Sequence, residues 1–366
     1  VILITTRRGK SGKTQISAST KLGLQQPISL VEQTGSYEFA RFWNMKQEMD
    51  HVTNPKLYFT PEQIEAYRTG SDPIMYPNMD WKKYIFHNLY LQSQNNVNIS
   101  GGNDNVQYFV SVGYTYQNGL LKELPGQLYD NNYRYNRYNY RANPDFDVTK
   151  TTLLSVNIGG RIETKRTPES DEDQNQLFRK LYWAVPFAGA GIINGKRVIT
   201  NPDIVPKPGT DGLASYYGKG FRTRTTNVLN VDLALNQKLD FITKGLSLKL
   251  KGAYNSSYSN TKKGSSSAAY YVPLVDDDGA ITYRKEGSDT QMSYSDGDFG
   301  KARDWYMELA LNYNRKFGDH NVSALALYNQ SKRYYPGGTY TYIPSGYVGL
   351  VGRVTYDWKT RYMAEF

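Results

Sequence analysis

The stretch Asn105 to Gln117, NVQYFVSVGYTYQ, alternates in character at every residue. One parity carries Val106, Tyr108, Val110, Val112, Tyr114 and Tyr116; the other carries Asn105, Gln107, Phe109, Ser111, Gly113, Thr115 and Gln117. Successive side chains of a strand point to opposite faces, so this stretch predicts a strand with one apolar face and one almost wholly polar face. Its length matters as much as its pattern. Strands of a soluble sandwich average about 5 to 6 residues, whereas a tilted strand needs roughly 9 to 11 to cross the hydrocarbon layer of a membrane.

The same split recurs along the chain. Thr152, Leu154, Val156, Ile158 and Ile162 oppose Ser155, Asn157, Gly159, Arg161 and Glu163; Leu229, Val231, Leu233, Leu235 and Leu239 oppose Asn230, Asp232, Asn236, Lys238 and Asp240. Further copies are Leu246, Leu248, Leu250 and Tyr254 against Ser247, Lys249, Lys251 and Asn255, and Val348, Leu350, Val354, Tyr356 and Trp358 against Arg353, Thr355, Asp357 and Lys359. Aromatics fall near the run ends, where interfacial girdles place them.

Strands are predicted over 14–24, 93–101, 105–118, 132–147, 151–166, 223–240, 246–260, 302–316, 321–334 and 346–358. The gaps between them alternate between long excursions and short turns at Gly102 to Asp104, Val148 to Lys150, Phe241 to Gly245 and Phe317 to His320. A membrane barrel has short turns on one rim and long loops on the other; a soluble sandwich has no reason to alternate in this way. The expected fold is therefore all-β, an antiparallel transmembrane β-barrel.

Composition agrees. The 366 residues include 33 Tyr, 32 Gly and no Cys, a mix that favours strands and turns. Mean hydropathy is -0.64, and no run reaches the roughly 18 apolar residues of a helical span. The formal charge of +10 is scattered without a basic run or nucleic-acid motif, so nucleic acid is not an expected partner. Without Cys there are no disulfides, thiolate ligands or Cys nucleophiles, which suits an oxidising compartment. The chain starts in strand-like VILITT without an initiator Met and stops in RYMAEF, which reads as another strand. It reads as an internal piece of a longer protein, since an open sheet would leave unpaired edges in lipid.

The long connections carry helix signals. Thr60, Pro61 and Gln63 form a capping box with Pro at the first helical position, and Gly70 can end that helix. Ser36 precedes YEFARFWNMKQEM in the same manner. Ser170 to Asp173 places acids at a third helix start, with Leu177, Leu181 and Ala184 on one face and Pro186 as a stop. These short helices are expected to cap the barrel mouth.

Catalytic constellations are lacking. His51, His87 and His320 are far apart, without metal-site spacing, and read as surface or turn residues. Asp276 to Gly279 between YYVPLV and AITY reads as a hairpin turn rather than a Ca2+ loop, because a twelfth-position Glu is missing. No enzyme, cofactor or metal is expected. The better lead is the set of loop tyrosines, Tyr216, Tyr217, Tyr270, Tyr271, Tyr334, Tyr335, Tyr340 and Tyr342. A Tyr offers a flat apolar face and a hydroxyl for stacking on sugars or gripping peptides; alternatively it serves the aromatic girdle or packs loop against loop.

Several segments carry a resemblance: VILITTRRGK (Val1 to Lys10), Asp80-Trp81, NVNISGGNDNVQYFVSVGYTYQNGLLK (Asn96 to Lys122), YNRYNYRANPDFDVTKTTLLSVNIGGRIE (Tyr135 to Glu163) and ITKGLSLK (Ile242 to Lys249). In order and spacing they resemble the SusC/RagA family of TonB-dependent transporters, although the Gly that usually precedes the first segment is missing. The resemblance implies a plugged 22-stranded barrel in the outer membrane, with residues 1–10 as the end of the plug and 11–366 as the N-terminal portion of the barrel, about ten strands. It further implies import of oligosaccharides or oligopeptides, with a SusD-like surface lipoprotein as lid and energy through TonB. A passive porin and a secreted soluble glycan-binding protein or adhesin are the rival readings.

Overall fold

The computed structural model describes residues 7–28, 32–50, 57–169, 176–205, 208–297, 299–335 and 342–366. The elements run β1 (Gly12–Gln25), α1 (Ser36–Met49), α2 (Pro61–Thr69), α3 (Trp81–Ile85), β2 (Tyr90–Gly102), β3 (Val106–Gln117), β4 (Arg134–Thr149), β5 (Thr152–Pro168), α4 (Gln176–Tyr182), β6 (Gly189–Ile193) and β7 (Lys196–Ile199). They continue with β8 (Phe221–Lys238), β9 (Leu246–Ser265), β10 (Tyr270–Val275), β11 (Ile281–Glu286), β12 (Ser293–Asp296), β13 (Gly300–Phe317), β14 (His320–Tyr334), β15 (Ser345–Trp358) and β16 (Tyr362–Glu365).

One large antiparallel sheet runs in the order β1-β2-β3-β4-β5-β8-β9-β13-β14-β15-β16, with β12 added to the end of β9. The predicted strands are all present, and β16 is the strand into which RYMAEF reads. Both β8 and β9 reach further into the long-loop side than expected, because Phe221 pairs with Gly264 and β12 pairs with Lys262 to Ser265. Connections alternate as the sequence implies: every short turn lies on one rim and every long excursion on the other.

Register turns the parity pattern into faces, because directly opposed residues of antiparallel strands share a side. One row reads Ile16, Ile99, Val110, Ala142, Ile158, Val231, Tyr254 and Trp305 across eight strands. The next parity reads Ser17, Asn98, Ser111, Arg141, Gly159, Asn230, Asn255, Asp304 and Arg333. The sheet is therefore apolar on one side and polar on the other. The apolar side is open rather than packed: Ile16, Leu22, Leu233, Leu309 and Leu350 are all exposed, and Val110 and Val156 lie in no closed core. It is the lipid-facing surface of a β-barrel. Toward the end of the sheet the inner side also holds Leu327, opposite Ala310 and Val351, and Leu325, opposite Asn312 and Arg353.

Aromatics rim this band at both edges. Tyr114 stacks on Tyr138 at 4.8 Å near the long-loop side. On the short-turn side His320 lies between the rings of Tyr356 and Trp358, and Trp358 stacks on Tyr362. His320 is exposed, as a surface residue was expected to be, and it opens β14 directly after the turn. Over the band Gly160 is required: a side chain there would strike the Tyr140 hydroxyl and the Val228 carbonyl.

In the first long connection α2 starts and stops as its sequence dictates. Thr60 accepts from the Gln63 N–H at 3.3 Å, the Gln63 side chain accepts from the Thr60 N–H at 3.0 Å, and Gly70 takes the left-handed conformation. Replacing Thr60 by Ala should destabilise this turn by about 1 kcal/mol. Hydrogen exchange of the Gln63 amide checks it: faster exchange there with unchanged exchange in the barrel strands is the expected result.

Helix α1 corrects one expectation. Ser36 is its first residue rather than its cap; its buried hydroxyl donates to the Pro77 carbonyl at 2.8 Å, and Gly35 occupies the cap position without a side-chain bond. Burial against the neighbouring segment outweighed the local capping role. For α4, Leu177, Leu181 and Ala184 are buried as expected, whereas the acids at Asp171 to Asp173 lie outside the described residues, as do Val1 to Thr6.

Candidate functional site: lumen wall and cap

The polar side of the sheet is identified as the lumen by the segment that precedes β1. The Arg7 carbonyl accepts from Asn143 Nδ2 at 2.8 Å, and Arg8 pairs with Asp145 and donates to Asn157 Oδ1 at 3.2 Å. Gly9 lies flat on the wall, so close to the backbone of Gly101 and Tyr108 that no side chain fits. All three partner side chains belong to the polar parity of β4 and β5. Ser111 and Asn157 thus face the lumen, opposite to Val110 and Val156.

Between this segment and strands β2, β3, β4, β5 and β8 lies a cavity of about 690 Å3, bordered by Asn98, Ser111, Asn139, Arg141, Asn157 and Asp232. Its chemistry is hydrogen-bonding and net basic. Among the described residues no carboxylate pairs with Arg137, Arg141 or Arg224; Arg137 donates to Asn139 at 2.8 Å and Arg224 to Ser259 at 3.4 Å. Further along the wall Lys249 pairs with Glu308 at 2.8 Å, and Asn255 donates to Asp304 at 2.9 Å.

Over the long-loop rim the connections fold into a cap with its own core. Trp81, Ile85, Phe86, Leu121, Leu177, Leu181, Leu213 and Tyr216 come from three different connections and bury one another. A second cluster joins Ala40, Phe59 and Tyr67 to Phe187 and Val205. Polar cross-links fix the loops: Trp81 Nε1 donates to Val185 O at 2.8 Å, Gln63 Nε2 to Ile204 O at 2.9 Å, and the Ile192 N–H to the Tyr84 hydroxyl at 2.9 Å. The half-buried Arg197 grips the buried Asp211 with two bonds of 2.9 and 2.7 Å. Such a fork-to-carboxylate pair costs several kcal/mol to break once it is dry.

A small four-stranded sheet, β11-β10-β7-β6, unites the third and fourth long connections through a parallel pairing of Tyr271 with Val198. The β10–β11 hairpin turns at Asp276 to Gly279, where Asp276 accepts from the N–H groups of Asp278 and Ala280 and Gly279 has φ +79. That is the hairpin expected from the sequence. The β6–β7 hairpin was not anticipated, although Asn194-Gly195, both at positive φ, is the two-residue turn signal that announces it.

The predicted tyrosines separate into three groups. Tyr216 has no exposed surface, and burial raises its phenol well above its ordinary range; Tyr217 donates to the Pro125 carbonyl at 3.0 Å. Both pack loop against loop, and neither presents a face to a ligand. Tyr270 and Tyr271 are half-buried on the two faces of β10: Lys196 lies 5.2 Å from the Tyr271 ring and 5.3 Å from that of Tyr283, while Arg197 lies 5.7 Å from the ring of Tyr270. Tyr334 ends β14 on the lipid-facing parity and Tyr335 follows it; Tyr342 is exposed beyond them, and Tyr340 falls outside the described residues. The cations Lys196 and Arg197, which join the aromatic group on β10, had no distinguishing signal in the sequence.

No family model matches the chain. It is 23% identical, over its whole length and 34% of the relative's, to a TonB-dependent receptor P3 of Formosa agariphila. Over 56% of its length it is 27% identical to the TonB-dependent receptor SusC of Bacteroides thetaiotaomicron, of which that match covers 18%. Among solved structures, the RagAB peptide transporter superposes with a TM-score of 0.56 at 14% identity, over 97% of this chain and 42% of the other. The 'closed-closed' state of the RagAB peptide importer gives 0.55 over 96% and 40%. The chain thus spans about a third of the length of the first of these curated relatives. The fold is that of part of an outer-membrane β-barrel, and in sequence the chain is similar to TonB-dependent receptors, SusC among them.

Proposed function

We propose that this part of the barrel serves energised import of an oligosaccharide or oligopeptide, which is captured under a SusD-like surface lipoprotein and released through the lumen when TonB remodels the plug. Residues 1–10 are the end of that plug, and residues 11–366 are the N-terminal portion of the barrel. The observation that carries the reading is the pairing of a lipid-facing sheet with an inner wall on which Arg7, Arg8 and Gly9 are already seated. A passive porin needs no such segment inside its wall, and a secreted soluble protein would not leave a continuous apolar band open. The wall arginines that meet no carboxylate among the described residues favour cargo that bears carboxylates, including a peptide terminus.

Within the cap, Tyr270 and Tyr271 are the tyrosines best placed to line the substrate chamber or to dock the lid. In the complete transporter, replacing both by Ala should reduce uptake about five-fold or more, the effect of truncating a single anchoring ring. Cells with matched membrane levels are compared for uptake of labelled glycan and peptide mixtures and for retention of the lipoprotein. The double Tyr→Phe variant keeps the rings and should retain most uptake. Wild-type uptake and unchanged lid retention in the double Ala variant would reject a binding role for this pair.

A further inference from the structure

On the outward face of the sheet, just above the apolar band at the long-loop rim, three cations gather around two rings. Arg303 Cζ lies 4.0 Å and Lys332 Nζ 5.1 Å from the centroid of the Tyr334 ring, and Lys301 Nζ lies 4.3 Å from that of Tyr335. Register places them. Arg303 opposes Tyr334, and Lys332 opposes Trp305, whose parity continues down β13 through the exposed Met307, Leu309 and Leu311 of the lipid-facing band. Lys301 shares the parity of Arg303 on the same strand.

Among the described residues none of the three meets a carboxylate, and Arg303 Nε is buried without a hydrogen-bond partner. The acid nearest in sequence, Asp304, belongs to the opposite parity and accepts from Asn255. Elsewhere on this rim the outward Arg134 and Arg166 share Asp130, at 3.0 and 3.7 Å. The β13–β14 cluster therefore differs from its neighbours in lacking an internal counter-ion.

A cation at a membrane interface is costly unless an anion or water meets it, and ring faces supply only part of that compensation. The guanidinium fork fits two oxygens of a phosphate, and flanking ammonium groups add point charges. Anionic headgroups lie at this depth. We propose that Lys301, Arg303 and Lys332, held on Tyr334 and Tyr335, bind the phosphate group of a net anionic membrane lipid in the leaflet at the long-loop rim. This site is separate from the lumen and independent of what the barrel imports.

The test uses the complete transporter in phosphatidylcholine nanodiscs doped with lipid A or with its dephosphorylated form, and separately in detergent with inorganic phosphate. Lipid retained per protein is counted by native mass spectrometry, and the thermal midpoint is read beside it. Wild type should retain lipid A and gain thermal stability from it, and should do neither with the dephosphorylated lipid or with free phosphate. The triple variant Lys301→Gln, Arg303→Gln, Lys332→Gln should bind lipid A roughly a hundred-fold more weakly, and Lys301→Gln alone about five-fold more weakly, as cations near an anionic surface act. Unchanged retention in the triple variant overturns the proposal, as does equal retention of dephosphorylated lipid or equal stabilisation by inorganic phosphate. If the triple variant does not fold, wild-type affinity in Lys301→Gln overturns it.

Discussion

Replacing Trp81 by Ala is expected to open the cap while leaving the barrel intact, at a cost of about 3 to 5 kcal/mol. Trp81 is fully buried among residues of three connections, and its ring packs against Gly212 so closely that a side chain at 212 would strike it. Truncation leaves a cavity and also removes the Trp81 donor to the Val185 carbonyl, which keeps only the Ala188 N–H at 3.2 Å, so a lost hydrogen bond adds to the cost. The barrel hydrogen bonds run in a separate sheet and do not depend on this core. In intact cells, proteolysis of the long connections should accelerate, while the folded barrel keeps its heat-modifiable mobility on a gel. Unchanged protease resistance of the connections would show that the cap core does not hold them.

The second expected result concerns the sheet. Val156→Arg should destabilise the complete barrel by about 2 to 4 kcal/mol, the cost of a cation on the lipid face near the midplane. Val156 opposes Leu233, within a band continued by the Leu154–Leu235 and Leu235–Leu250 pairs, and no lipid-facing acid stands in these rows to compensate. One residue on, Asn157→Arg faces the lumen, where Arg8 already reaches; it should alter conduction or plug seating with little effect on folding. Urea-driven unfolding in lipid vesicles compares the two. Equal tolerance at both positions would remove the assignment of faces. The two large effects also fall in different places, one releasing the loops and the other the strands.

The long strands and their faces were legible because a barrel wall is decided locally. Lipid on one side and a polar lumen on the other impose a period of two on every strand, and the pattern of Val106 to Gln117 needs no distant residue to be read. The same holds for α2: its capping box and left-handed Gly70 are satisfied within the helix itself. Where local and distant demands competed, the sequence was a poorer guide. Ser36 carries a capping hydroxyl, yet the structure spends that hydroxyl on Pro77, forty-one positions away.

The candidate site divides along the same line. Tyr-rich loops at one mouth follow from sequence, because the alternation of short and long connections sends every loop to the same rim. Which tyrosines present a face there does not, since Tyr216 and Tyr270 look alike along the chain. Only the packing of three connections around Trp81 hides the first, and only the pairing of β7 with β10 brings Lys196 and Arg197 to the second. By itself the sequence determined the membrane-crossing strands and the two chemistries of their faces, because solvent and lipid act on each residue one at a time. The tertiary structure alone decided what the loops enclose, because burial in the cap depends on partners that lie tens to more than a hundred residues apart.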